Sequence, residues 1–570
     1  MGDRLEPVPR PIRRALPVAL LAAVYWPGVT GWFFQDDFGW LNLRHDIHTA
    51  GDLGRALVAP KAHGNMRPLG ENAYWLGLAW VFGPEALPFH GAAFVTMAAG
   101  VLLLGAVVRR LAGSEAGALA AQAVWMANIG VAPVLGWSSI YNQALSAFLF
   151  LLAFYFLLRG KWAAQWIAFV LGLGALEINV VYPVVAAVYA LLFDRRLLRK
   201  ILPMFAVSAL AVWVHFYFAP PPTAGVYAPR VDWRIFETVW TYWKWVLGQM
   251  PVWPALALTA AVAGLAGKAP RDTLMGLAWF AIPLAPYLPL AEHRMDYYLA
   301  VPAIGIAMLA GVAVARWRIP AAVCLLLYLG ASVPAAWTVT RWQHARGERV
   351  ETLVRGVQEI HERAPRRIIL LECIDTDLFF SGVADLPFRA LEIPRVYLAP
   401  GSEMRIQAAP DLLSKYVLPA AIARPAIGAG NAAVYCFTGA GLRRASGETL
   451  PLEDEPRFVN LGDDVFAAYF GLGWTREPDG LRSMSGSAMV RIGGPRRPGE
   501  ALYIGVFETR DMSLSVRANG VALPVERVSR GNDLTEFRAA LPAASGGWRE
   551  MEVWIGSSGP RVRFGYLEVR

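Results

Sequence analysis

The chain has 570 residues, 22 of them tryptophan, and only 17% of it is charged, below the quarter or so of an ordinary soluble domain. Its mean hydropathy is +0.39, unevenly spread: apolar blocks fill the first 340 residues, and the rest reads as soluble. The net charge of +9 would suit nucleic acid, but much of the Lys and Arg sits in short loops between apolar blocks, as membrane topology requires, which argues against that class.

Allowing about 17 to 25 residues per span gives about eleven helices. They are expected near 15–34, 88–108, 116–135, 139–158, 162–177, 179–194, 201–219, 245–266, 273–290, 298–315 and 319–339. The N-terminus and alternate loops carry the basic residues: Arg4, Arg10, Arg13 and Arg14; Arg109 and Arg110; Arg159 and Lys161; Arg195, Arg196, Arg199 and Lys200; Lys268 and Arg271; Arg316 and Arg318. The intervening loops are poorer in them, which puts the N-terminus in the cytoplasm. An odd number of spans then places the C-terminal half outside. The first block is too long and too aromatic at its outer end for a cleaved signal and reads as a retained span.

With that topology, the reactive-looking side chains collect on the external face. The first apolar block runs into "GWFFQDDFGW", which sets Asp36 and Asp37 at the membrane edge, where carboxylates are costly. The same loop holds His45, His48, His63, Arg67 and Glu71, and its "MRPLGENAYWLGLAWVFG" has the pattern of a helix lying in the interface. The next external loop, "GWSSIYNQ", is polar and uncharged. Glu177 and Asn179 lie where two spans nearly touch. "APPPTAGVYAPRVDWRIFETVWTYWK" carries Arg230 among aromatics, and "PLAEHRMDYYLAVP" brings His293, Arg294, Asp296 and Tyr297 to a membrane boundary.

Acids beside a bilayer suit a substrate that enters from the lipid. A carboxylate can take the proton of an attacking hydroxyl. Arg or His can hold a lipid phosphate and stabilise it as it departs. Each residue also has a plainer use. The two aspartates would serve as a solvated helix end, Arg294 as a snorkelling anchor or the partner of Asp296, and Glu177 as a packing partner; the histidines read as ordinary loop residues.

In the soluble half, 345–365 reads as a helix, and "RRIILLEC" and "AAVYCFTG" as buried strands, making 345–440 a small α/β unit. Cys373 and Cys436 lie here and are free to pair if this half is outside. After the linker "RRASGETLPLEDEP", short strand-like runs recur every 8 to 14 residues or so between Gly, Pro and Asn, as in an antiparallel sandwich over 455–570.

The order of motifs resembles the GT-C superfamily of integral membrane glycosyltransferases. "QDDF" after the first span and "RPL" leading an interfacial helix match its first external loop. "LEINVVYPVVAAVYALLFD" resembles the Lys-Glu-plus-proline span of its bacterial and protein O-mannosyltransferase-like branches, and "EHRMDYYLAVP" their late Arg-Tyr boundary motif. The likeness covers about residues 12–340. It implies a bundle of spans with two interfacial helices in the first loop, a polyprenyl-phosphate or polyprenyl-diphosphate sugar as donor, and inverting transfer on the external face. By position it implies Asp36 or Asp37 as general base and Arg294, with His293 or Arg67, on the donor phosphate. Glu177, Glu71 and Tyr297 would support the site.

The sequence departs from that pattern twice. Ser138, Ser139, Tyr141 and Asn142 stand where many relatives carry a second-loop acid, so a divalent metal has thin support, hard cations favouring carboxylates, and no other cofactor is called for. Leu176 replaces the basic residue that often precedes the family glutamate. "GLGWTREPDGLRSMSGSAMVRI" with "VRANGVALP" resembles jelly-roll, carbohydrate-binding-like modules, which implies sugar-stacking aromatics among Trp474, Trp548 and Trp554. The expectation is a bacterial inner-membrane glycosyltransferase with a transmembrane catalytic domain at 1–340 and extracytoplasmic domains at 345–440 and 455–570. Its acceptor would be an external glycan, lipid or protein. The rivals are a transporter or flippase and a non-catalytic binding protein for lipid-linked sugars. Transporters place polar groups at mid-membrane, whereas the acids here cluster at one face.

Overall fold

The computed structural model describes residues 10–59, 66–223, 225–248, 252–317, 319–408, 410–445, 455–484, 486–507, 512–530, 534–542, 547–558 and 562–570. His63 and most of the linker before the last strands lie outside them. The chain divides into two compact units, Met1–Val350 and Glu351–Arg570.

The first unit is helical, and a helix lies over each of the eleven apolar segments. Among the described residues four helices are long and apolar enough to cross a membrane: Ala86–Ala112, Ser138–Leu158, Arg195–Phe218 and Ile319–Arg363. Glu115–Met126 and Ile129–Gly136 make a fifth if taken together across their 62° bend. Five more apolar helices are shorter, among them Ala15–Val29, Trp162–Ala175 and Ala303–Trp317.

Local chemistry explains several boundaries. The helix Ala86–Ala112 stops at Gly113, whose φ of 64° is the left-handed conformation of a helix C-cap. One residue later the Ser114 side chain accepts from the Gly117 backbone and starts the next helix. At the 62° bend, Asn128 takes over the bonds that the broken helix gives up. Its carbonyl caps the Gly130 amide, and its amide donates to the Val246 carbonyl and the Tyr328 hydroxyl. Inside a bilayer apolar burial gives little drive, so close packing must hold helices together. A Cβ on Gly117 would sit 2.5 Å from the Gly311 carbonyl oxygen, a backbone approach that no other residue type permits.

The second unit is β-rich. Its first strands are β1 (Ile368–Glu372), β2 (Val396–Leu398), β3 (Ala432–Phe437) and β4 (Leu442–Ala445). They form a sheet in the order β2-β1-β3-β4, with β1 parallel to both neighbours and β4 antiparallel to β3. Cys373 and Cys436 are joined as a disulfide at the ends of β1 and β3.

The remaining strands are β5 (Phe458–Asn460), β6 (Trp474–Arg476), β7 (Arg482–Met484), β8 (Ser487–Gly493), β9 (Ala501–Phe507), β10 (Leu514–Ala518), β11 (Val521–Leu523), β12 (Val525–Arg530), β13 (Leu534–Ala540), β14 (Glu550–Ser557) and β15 (Val562–Val569). They build one sheet in the order β11-β10-β14-β8 and another in the order β12-β13-β9-β15-β7-β6, with β5 also on β15. Alternation along β10, β13 and β14 turns every second residue inward, as a half-buried antiparallel strand must. Buried residues of both sheets and of the parallel sheet belong to one core.

The three tryptophans considered for sugar stacking differ. Trp474 donates to the Met489 carbonyl and meets Phe564 edge-on, and Trp548 packs partly buried on the same core. Trp554 is half-buried like the other two but is not packed on that core, its indole N–H on Glu552.

Candidate functional site

The first unit brings together the polar motifs of several loops, starting at the elbow after the first helix. Phe33, Phe34 and Phe38 are buried: Phe33 meets Phe89 edge-on at 5.2 Å, and Phe34 stacks on Trp137 at 5.7 Å. This aromatic plug fixes the chain as it turns into the short helix Asp37–Asn42. Neighbouring residues on a helical backbone point about 100° apart, so the two aspartates cannot share an environment. Asp37 is fully buried, while Asp36 is exposed.

Asp37 accepts from the Phe34 backbone N–H at 3.1 Å and from the backbone N–H and hydroxyl of Ser139 at 2.8 and 2.5 Å. It therefore clasps the segment after the first helix to the turn at Ser138–Ile140. Burial pushes its pKa up to about 8, outweighing the hydrogen bonds from Ser139 and Phe34 that pull it down. Ser139 thus binds Asp37, an acid of the loop after the first helix, from a turn that carries no acid of its own.

Arg67 stands between two carboxylates. Its Nε reaches Glu177 at 2.8 Å and its Nη1 reaches Glu71, which also accepts from Asn142 at 2.8 Å. Glu71 is 2% exposed, and burial holds its pKa above the usual carboxylate range against the pull of Arg67. The turn Pro68–Ala73 that carries it lies so close to the span ending at Ala175 that a Cβ on Gly70 would meet the Ala175 carbonyl oxygen at 2.1 Å. That contact explains why glycine precedes Glu71. It also locates the cation missing beside Glu177: Arg67 supplies it across space, from 110 residues away.

The late motif forms the third wall. Asp296 does not pair with Arg294; its carboxylate accepts from the Tyr297 backbone N–H at 2.8 Å, and burial raises its pKa to about 6. Arg294 donates to the Thr241 hydroxyl at 3.4 Å, and among the described residues no carboxylate lies within 4 Å of it. Beside it, the Met295 N–H donates to the Tyr242 hydroxyl. The His293 ring lies 4.2 Å from that of Tyr227, Tyr287 stacks on Tyr298 at 4.0 Å, and Tyr297 packs on Tyr298 at 4.9 Å.

These walls face one another. Tyr227 lies within electrostatic reach of both Asp36 and Arg67, and Tyr298 within reach of Arg67 and Glu177. Asp36, Arg67, Glu71, Glu177, His293 and Tyr297 thus belong to one cluster, with Arg294 on its Tyr242 side. Asp37 sits behind it. Tyr227, Tyr287 and Thr241 escaped the sequence reading. Their one signal was the density of aromatics in the loop before 245 and at the end of the following span. Among the described residues no group of three His, Cys, Asp or Glu is placed to hold a metal ion.

No protein-family model matches the chain, and neither does any curated protein. Among solved structures it is similar to ArnT from Cupriavidus metallidurans. The ArnT crystal structure bound to undecaprenyl phosphate is 12% identical, with 74% of this chain and 92% of that one covered and a TM-score of 0.43. The apo form gives 14% identity, the same coverage and a TM-score of 0.44. The arabinosyltransferase EmbB from Mycobacterium smegmatis, seen by cryo-EM, is 12% identical over 100% of this chain and 66% of that one, with a TM-score of 0.28. At these TM-scores the likeness is one of broad outline.

Proposed function

We propose that the chain is an inner-membrane glycosyltransferase of the GT-C type. It moves a sugar from a polyprenyl-phosphate or polyprenyl-diphosphate carrier to a glycan, lipid or protein acceptor on the external face. The reading rests on one observation: an exposed aspartate, an arginine with no carboxylate partner among the described residues and a tyrosine-rich wall meet at one face of an apolar helical unit.

Asp36 is the general base. The acceptor oxygen attacks the anomeric carbon and gives its proton to the Asp36 carboxylate, while the carbon–oxygen bond to the phosphate breaks with its electron pair on the phosphate. One displacement inverts the anomeric centre. Arg294 neutralises the charge that builds on the leaving group. Glu177 and Glu71, tied by Arg67, hold the loops in register, and the tyrosines present hydroxyls and ring faces to the sugar.

With the basic loops on the cytoplasmic side, as the positive-inside rule has them, eleven crossings set the C-terminal unit outside. The Cys373–Cys436 disulfide supports that side, since such bonds persist in oxidising compartments. Residues 1–340 form the catalytic domain, 345–440 an α/β domain, and 455–570 a module that holds the acceptor glycan, with Trp554, which does not pack on the core, the aromatic to stack on it. The test is transfer from radiolabelled polyprenyl-phosphate sugars in proteoliposomes. Turnover by wild type that disappears in Asp36→Asn supports the reading, and equal turnover in the two sinks it.

A further inference from the structure

The elbow that carries Asp36 holds a residue in a conformation that its own chemistry disfavours. Gln35 has a φ of 57°, and among the described residues of the helical unit it is the one non-glycine at positive φ. Asparagine and aspartate visit that region by bonding the local backbone, but the longer glutamine does not, so its surroundings must hold it there. The long helix Ile319–Arg363 supplies the hold. Its Thr340, His344 and Gly347, spaced as one helical face, run along the elbow. A Cβ on Gly28 would sit 3.2 Å from the Thr340 methyl, one on Gly31 3.9 Å from His344 Nδ1, and one on Gly347 2.8 Å from the Trp32 carbonyl oxygen. Beside Gly347, Arg346 donates from Nη1 to Gln35 Oε1 at 3.1 Å. Its guanidinium lies over the rings of Phe34 at 5.5 Å and Trp342 at 5.1 Å.

We infer that Arg346 and Gln35 are positioning residues for Asp36: the guanidinium clamps the backbone joint through which this carboxylate would otherwise turn. The inference rests on the reading of Asp36 as the general base. Phe34 and Phe38 are pinned in the aromatic plug, and Asp37 is tied to Ser139 and to the Phe34 backbone. Between these fixed points the dihedrals of Gln35 set the aim of Asp36. With Gln35 left-handed, Asp36 stays exposed and within electrostatic reach of Tyr227. Rotation of Gln35 to negative φ would relieve its strain and swing the next carboxylate away from the tyrosines. A planar guanidinium held between two rings resists that rotation better than an ammonium would.

The test uses the full-length chain in lipid bilayers and has two readouts. The first needs no substrate. Nitroxides at Asp36→Cys and at the exposed Arg196→Cys, in a Cys324→Ala chain so that no other free thiol takes the label, give a distance distribution by pulsed EPR. It should be narrow with Arg346 in place, broaden or shift in Arg346→Met, and narrow again in part in Arg346→Lys. The second is sugar transfer. Arg346→Met and Gln35→Ala should each lower turnover about tenfold or more at unchanged carrier affinity, since a misaimed base slows only the chemical step. Gln35→Gly, at home at positive φ, should lose less than Gln35→Ala, the reverse of the order at an ordinary position. Neither Arg346→Met nor Gln35→Ala should slow Asp36→Asn further, because both act through that carboxylate. A distance distribution indifferent to Arg346, or losses that recur in full on top of Asp36→Asn, overturns the inference. A distribution that responds while Asp36→Asn turns over like wild type upholds the clamp and overturns the assignment of the base.

Discussion

At the scale of residues, the adjacent acids show how one dipeptide takes two roles. Asp36 faces the tyrosine wall, and Asp37 is spent on Ser139 and Phe34. Asp36→Asn should lower turnover about a hundredfold or more while leaving donor binding within a few fold, because removal of a general base acts on the chemical step. Measuring turnover and carrier binding separately decides it, and a loss of both together would assign Asp36 to binding. Asp37 makes a different prediction. Its carboxyl is harder to ionise in the folded chain than in the unfolded one, so the protonated form favours the fold. Stability from this group is whole below about pH 4 and is lost as pH rises toward about 8. Melting temperatures of detergent-solubilised protein between pH 5 and 8 should fall with pH. Asp37→Asn, which keeps the shape without the charge, should flatten that slope, and parallel slopes in the two proteins would refute the assignment.

At the scale of elements, the site depends on ties between segments far apart in sequence. Arg67 joins the first external loop to the turn at Glu177, and Asn142 adds the second loop through Glu71. Removing one partner of such a buried pair strands the other, at a cost of about 3 to 5 kcal/mol. Arg67→Met should therefore lower the melting temperature strongly, and the triple change of Arg67, Glu71 and Glu177 to apolar residues should lower it less; the reverse order would show that the ion pairs do not act as a unit. In the second unit, the Cys373–Cys436 bond closes a loop with a sequence separation of 63 and contributes about 2 to 4 kcal/mol through the unfolded chain. Reductant should lower the unfolding transition of the β-rich unit by several degrees. An unmoved transition would count against any such contribution.

At the scale of the whole molecule, the proposal places the acids, the late Arg-Tyr motif and the β-rich unit on one side of the membrane. Met404 and Arg196 are both exposed, and they belong to opposite sides under that topology. In intact bacteria an impermeant maleimide should label Met404→Cys and spare Arg196→Cys until the membrane is opened. Labelling of Arg196→Cys first would invert the topology and remove the external site.

Much of this was legible from the chain alone, because the signals were local. Apolar blocks of bilayer length and alternating loop charge mark the helical half, and short runs between turn residues mark the strands; each depends on the spacing of neighbours. The external-loop residues could be listed for the same reason. Their pairing could not, since Arg67 and Glu177, or Asp37 and Ser139, are more than a hundred positions apart and meet only when helices pack. Nothing in "QDDF" says which acid turns inward; the aromatic plug against Phe89 and Trp137 decides that. Sequence determined which groups the loops between apolar segments carry. Only the tertiary structure decided which charges cancel and which acid is left facing the tyrosines, because charge balance belongs to distances across the fold.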